Sequence, residues 1–185
     1  MSICSIVKQF SERHSLSFID MEDIYSQHNG LAEICGNWPP SAWARIFLPD
    51  LLHHTNRILY LDIDMLICDD CSSLFTLDMQ GAVIGAVYES IASKDGNHNQ
   101  KLGVPSLFQG YFNSGTLLID VRAFCQGGWK EKILNFAYTH ADELAYPDQD
   151  SMNAVMYDTV FRLHPRWNWN DIGTRRILNH HRNTT

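Results

Sequence analysis

At 185 residues, 45% of them hydrophobic, the chain can bury a core of its own, and no shift in composition divides it, so one domain over residues 1–185 is expected. A formal charge of −7 and a pI near 5.6 exclude a nucleic-acid surface, which needs clustered Lys and Arg; a phosphate-bearing ligand would need a metal to bridge it to an acidic site. No apolar run has membrane-spanning length and no leader-like pattern opens the chain, so a cytoplasmic location is expected, with membrane contact confined to the periphery.

Residues 3–13 carry Ile3, Ile6, Val7 and Phe10 at helical spacing, and residues 16–19 read as a short strand, so the chain opens inside an α/β alternation. Residues 20–38 are polar and weakly patterned, and Pro39 and Pro40 forbid a helix before Ser41. From Ser41 as cap, a helix runs through Trp43, Ala44, Phe47 and Leu48, with Pro49 breaking or bending it. Arg45 lies two positions from both Trp43 and Phe47, which places it off the apolar stripe as a solvated charge.

Residues 58–67, Ile-Leu-Tyr-Leu-Asp-Ile-Asp-Met-Leu-Ile, form a strand-like apolar run that contains two carboxylates. In an extended chain, Asp62 and Asp64 share one side while Ile63 turns into packing. Two convergent carboxylates repel, and a hard divalent cation relieves the repulsion. Alternatively the strand ends near Asp62 and both acids meet water. Cys68-Asp69-Asp70-Cys71 has the spacing of a redox or zinc pair, yet no second pair accompanies it, and the two read as strand-exit cysteines. Five cysteines at uneven spacing suit a reducing compartment.

One helical turn follows at 72–77, a buried strand at 81–88, and a surface loop at 89–104. Residues 111–121 read as a core strand entered through Asn113-Ser114-Gly115, where small residues admit a ligand to the backbone. Gly127 and Gly128 precede a helix at 129–140, Asp148 reads as the cap of the next helix, and 159–163 is a short strand. Strands alternating with helices predict an α/β fold with a mostly parallel, twisted sheet and flanking helices, binding ligands at the carboxyl ends of its strands.

Three segments in this order, Tyr60-Leu61-Asp62-Ile63-Asp64, Tyr111-Phe112-Asn113-Ser114-Gly115 and Pro147-Asp148-Gln149-Asp150 with Asn153, resemble the retaining glycosyltransferases of family 8. They look most like bacterial members that add galactose or glucose to lipopolysaccharide. Trp43-Ala44-Arg45 and His164-Pro165-Arg166-Trp167-Asn168 fit the same pattern. The resemblance spans residues 41–170. It implies a single Rossmann-like nucleotide-diphospho-sugar transferase domain of the GT-A type, with UDP-galactose or UDP-glucose as donor and a glycan as acceptor.

By position, the resemblance gives Asp62 and Asp64 to manganese, with magnesium as substitute, against the donor diphosphate, and sets Asp62, Ile63 and Asp64 along the donor. Arg45 would contact the nucleotide sugar, and Asn113 and Ser114 would line the sugar pocket. Asp148 would bond the sugar hydroxyls, and Gln149 would stand beside the anomeric carbon, opposite the leaving group; these two are the catalytic candidates. Cleavage develops negative charge on UDP and positive charge at the anomeric carbon, so a divalent ion on the diphosphate stabilises the departing group. A neutral amide is a poor nucleophile, which casts Gln149 as a dipole beside an oxocarbenium-like state, with same-face attack and retained configuration.

The family's opening strand, which grips uracil, and its closing His-x-x-Gly-x-x-Lys-Pro-Trp run have no full match, so a domain lacking both is expected. His180 is the candidate third metal ligand, with His181 beside it. Two rival readings remain. A haloacid dehalogenase-like phosphohydrolase also places Asp-x-Asp after an apolar strand, though Leu66 stands where it favours Thr or Val. A non-catalytic binding domain on a transferase fold is the other.

Overall fold

The computed structural model describes residues 15–28, 30–89, 98–104 and 110–169. The helix expected at 3–13 lies outside them. The strand expected at 16–19 is irregular chain with Leu16, Phe18 and Ile19 exposed, because no neighbouring strand pairs with it among the described residues. Two short helices, α1 (Glu22–Gln27) and α2 (Leu31–Ile34), occupy the weakly patterned stretch. A tight turn at Pro40–Trp43 leads into α3 (Ala44–Leu51). Ser41 gives no side-chain cap; its carbonyl accepts from the Ala44 N–H instead. Pro49 sits inside α3 without ending it.

After β1 (Arg57–Leu61) come α4 (Ser72–Phe75), β2 (Ile84–Glu89), α5 (His98–Lys101) and β3 (Tyr111–Asp120). Asp120 then caps α6 (Val121–Gln126) by accepting from the Ala123 N–H, a helix not expected from the sequence. The chain closes its described part with α7 (Trp129–Thr139), α8 (Pro147–Met156) and β4 (Val160–Arg162). Asp148 lies within the first turn of α8 and does not cap it; Pro147 opens the helix, as suits a residue without an N–H.

The sheet runs in the order β1-β3-β2-β4. Its helices flank it as expected for an α/β fold, but β3 is antiparallel to both β1 and β2, and among the described residues only β2 and β4 run parallel. Alternation of strands and helices along a chain fixes the layers more firmly than strand direction. Side chains of β3 pack into cores on both faces of the sheet, and Tyr111 joins a further cluster with Leu102 and Val104. Leu117 and Ile119 pack with Trp43, Ile46, Phe124, Ile133 and Met152, while Leu118 joins Leu74, Met79, Val87 and Leu163 on the other face. With both faces covered, β3 is the central strand, and the site is built around Asn113 to Gly115, where Asn113 is part-exposed and Ser114 and Gly115 are buried. No helix among the described residues is long and apolar enough to cross a membrane.

Candidate active site

β1 is shorter than the apolar run suggested. Its ladder with β3 ends at Leu61 opposite Thr116; the Asp62 N–H still donates to Gly115 O at 2.9 Å, and the Met65 N–H turns back to Asp62 O at 3.3 Å. Asp62 and Asp64 therefore sit in a turn, not on one pleated face. Ile63 is fully exposed rather than packed, since the turn carries it out of the sheet.

Arg45 overturns its expectation as a solvated charge. It is 5% exposed, and it survives burial because acids surround it. Its Nη2 donates to Asp62 Oδ1 at 2.8 Å, Nη1 donates to the Ser114 hydroxyl, and Nε lies 3.4 Å from Asp148 Oδ2. The guanidinium also stacks 4.7 Å from the centre of the Tyr60 ring, whose hydroxyl donates to Asp62 Oδ1 at 2.8 Å. Burial, above all, pushes the Tyr60 phenol well above its ordinary range, with Arg45 opposing. α3 is positioned for this by Trp43, Ile46 and Phe47, all anchored in the larger core.

The start of α8 faces β3. Gln149 Oε1 accepts from the Ser114 N–H at 2.8 Å and from its hydroxyl at 3.1 Å. Asn153 clamps Phe112 by accepting from its N–H at 2.8 Å and donating to its carbonyl at 2.9 Å. Asp150, wholly buried, accepts from the Tyr111 hydroxyl and from the N–H groups of Ala145 and Tyr146 at 2.8 and 2.9 Å. Asp150 and Asn153 thus hold α8 in register with the strand mouth, so that Asp148 and Gln149 meet Arg45 and Ser114. Burial drives the Asp148 carboxyl up to about 6, against the pull of Arg45; the nearby Asp62 adds to the rise.

Beside this buried array opens a cavity of about 890 Å³, lined by Asp62, Asp64, Asn113, Gly115, Arg166 and Asn168, with Met65, Trp167 and Trp169 among its apolar walls. Gly115 is needed there because a Cβ would stand 2.8 Å from Asp62 Oδ2 and 2.9 Å from Asn113 Oδ1. Cys68 and Cys71, both free thiols, line the same cavity beyond the strand end. Two members of the site are given no role by the sequence, although Asn168 closes the matching segment 164–168. Glu89 accepts from Asn113 Nδ2, and Asn168 donates to Asn113 Oδ1. A carboxylate closing the apolar strand at 84–89 was the signal available for Glu89.

The acids suit a hard divalent cation. Both hydrogen bonds to Asp62 recorded among the described residues fall on Oδ1, its Oδ2 lies against Gly115 where no side chain intervenes, and Asp64 is exposed on the same cavity. Two carboxylates are an incomplete set, and no group of three His, Cys, Asp or Glu converges among the described residues. His180 and His181 lie outside them.

The family model for glycosyl transferase family 8 matches residues 2–184. General stress protein A of Bacillus subtilis (strain 168) is 37% identical over 133 residues, covering 69% of this chain and 45% of the relative. The lipopolysaccharide 1,2-glucosyltransferase of Escherichia coli (strain K12) is 32% identical over 132 residues, covering 71% and 39%. The chain thus spans less than half the length of these two relatives. Among solved structures, galactosyltransferase LgtC in complex with donor and acceptor sugar analogues is similar, with TM-score 0.64 and 26% identity, covering 69% of this chain and 46% of that one.

Proposed function

The chain belongs to glycosyl transferase family 8, and from that premise we propose that its cavity binds a UDP-hexose and passes the sugar to a glycan acceptor of the lipopolysaccharide type. UDP-galactose or UDP-glucose is the donor. The names of the similar proteins support this choice, one a galactosyltransferase solved with donor and acceptor analogues, the other a glucosyltransferase. The observation that carries the reading is the buried Arg45, which joins Asp62 at the cavity wall to Ser114 and Asp148. The family match also favours a transferase over a haloacid dehalogenase-like phosphohydrolase.

Each residue has a distinct task in this reading. Asp62 and Asp64 would hold manganese, or magnesium in its place, with His180 as the expected third ligand, and an ion held there would stabilise negative charge on the departing diphosphate. Arg45 holds Asp62 in place from behind and adds positive potential near the diphosphate. Asp148 accepts hydrogen bonds from sugar hydroxyls. Gln149, turned by its two bonds from Ser114, lies beside the anomeric carbon as a fixed dipole, and the acceptor hydroxyl attacks on the face that UDP leaves, its proton passing to the departing diphosphate, with configuration retained. Asn113 and the backbone of Ile63 complete the sugar and nucleotide contacts. A cytoplasmic site of action accompanies this reading and agrees with the free cysteines Cys35, Cys68, Cys71 and Cys125.

The test is release of UDP from UDP-galactose and UDP-glucose, with manganese and with a chelator. Manganese-dependent release from either donor is expected. Hydrolysis of a generic phosphate ester without turnover of either sugar nucleotide would favour the phosphohydrolase, and UDP binding without turnover would favour a non-catalytic domain.

A further inference from the structure

Asn113 is gripped from three sides. Its Nδ2 donates to Glu89 Oε1 at 2.6 Å, while Oδ1 accepts from the Gly115 N–H at 2.8 Å and from Asn168 Nδ2 at 2.7 Å. A carboxamide oxygen has two lone pairs, and both are taken. Among the described residues, one Nδ2–H is left over. Rotating the amide by half a turn would set its oxygen against the Glu89 carboxylate and its NH₂ against two N–H donors, so the chemistry of the partners fixes an orientation that shape alone would not.

The fold delivers both partners. The register of β2 on β3 shifts between Ala86 and Tyr88, which brings Glu89 opposite Tyr111; Asn113 lies two residues further on, within diagonal reach of a long side chain. Asn168 follows the turn at Pro165–Trp167 and is nearly buried. Asn113, Gly115 and Asn168 line the cavity, whereas Glu89 is not among its walls.

Resting on the sugar-nucleotide reading, we infer that Glu89 and Asn168 are positioning residues that lock the Asn113 carboxamide as a pure hydrogen-bond donor toward the cavity. The group it selects is an oxygen of the sugar nucleotide that offers a lone pair; a ligand group that only donates finds no partner at this point. Glu89 acts through Asn113 rather than on the ligand.

Glu89→Ala and Glu89→Gln test the lock by two readouts. The first is the nitrogen-15 resonance of the Asn113 side-chain amide, identified by its loss in Asn113→Asp. It is expected to shift and to exchange faster with water in Glu89→Ala, and to return towards the wild-type position in Glu89→Gln, whose amide oxygen still accepts. The second is the KM for the sugar nucleotide, expected to rise about tenfold in Glu89→Ala, with kcat within about twofold and KM recovered in Glu89→Gln, as for an interaction made equally in ground and transition states. A purely structural role would lower kcat through loss of folded protein and leave KM alone. An Asn113 resonance unchanged in Glu89→Ala overturns the lock, as does an unchanged KM. Absence of wild-type turnover counts against the sugar-nucleotide reading instead, and the resonance still decides the lock.

Discussion

Ser114 gives Gln149 two hydrogen bonds, its backbone N–H at 2.8 Å and its hydroxyl at 3.1 Å, both ending on Oε1. With its oxygen so engaged, Gln149 is a fixed dipole rather than a free nucleophile. Gln149→Ala should lower kcat by about 10²-fold, in the range for loss of one preorganised dipole, while the donor KM moves by less. It also strands a buried N–H, so unfolding free energy should fall by about 1–3 kcal/mol. Steady-state kinetics and denaturant melts on the same preparation check both; a raised KM with intact kcat would remove Gln149 from the chemical step.

Asp62 and Asp64 should part company. Both Asp62→Ala and Asp64→Ala are expected to abolish manganese-dependent turnover. Asp62→Ala also removes a partner of the buried Arg45 and should cost about 1–3 kcal/mol of stability, whereas Asp64 is exposed and Asp64→Ala should melt like the wild type. Full activity in either variant would end the metal role assigned to that residue.

Asp148 sets a pH dependence. Its carboxyl is raised from 3.8 to about 6 by burial, so between those values the folded state binds the proton that the unfolded chain has released. Stability from this group is therefore complete below about pH 4 and is lost as pH climbs through 6, by about 3 kcal/mol in all. Turnover should move the opposite way, rising through pH 6 as the carboxylate forms. Melting temperature and kcat across this range check the pair of trends, and Asp148→Asn should flatten the stability trend. A wild-type stability profile no steeper than that of Asp148→Asn would contradict the assignment.

Gly115 holds space for two side chains at once. A methyl group there would meet Asp62 Oδ2 at 2.8 Å and Asn113 Oδ1 at 2.9 Å. Gly115→Ala should weaken donor binding about tenfold or more and lower stability by about 1–3 kcal/mol, as expected for overpacking. Binding isotherms with UDP measure the first effect; an unchanged isotherm would mean that neither neighbour contributes to the donor site.

The order of motifs was legible through the resemblance to the family: Asp62 and Asp64 after β1 and Asn113 within β3 stand out as polar residues in apolar runs, whereas Asp148 and Gln149, in the polar start of α8, read on their own as no more than the opening of a helix. Periodicity also found β2, β3 and α7 to within a few residues. What escaped depends on partners distant in sequence. Arg45 reads as a surface charge until Asp62 and Asp148 are folded around it, and Glu89 reads as the first residue of a loop until a shifted register sets it near Asn113. Strand direction escaped as well, since a run of apolar residues is the same forwards and backwards.

In the proposed function Asp62 and Asp64, backed by Arg45, bind the diphosphate of a uridine nucleotide through a divalent ion. Isothermal titration of the 185-residue chain with UDP in manganese tests it most directly. Binding that requires the metal and vanishes in Asp64→Ala, whose fold should be unaltered, is the predicted result. Failure of the wild type to bind UDP in manganese, or equal binding by Asp64→Ala, would contradict it.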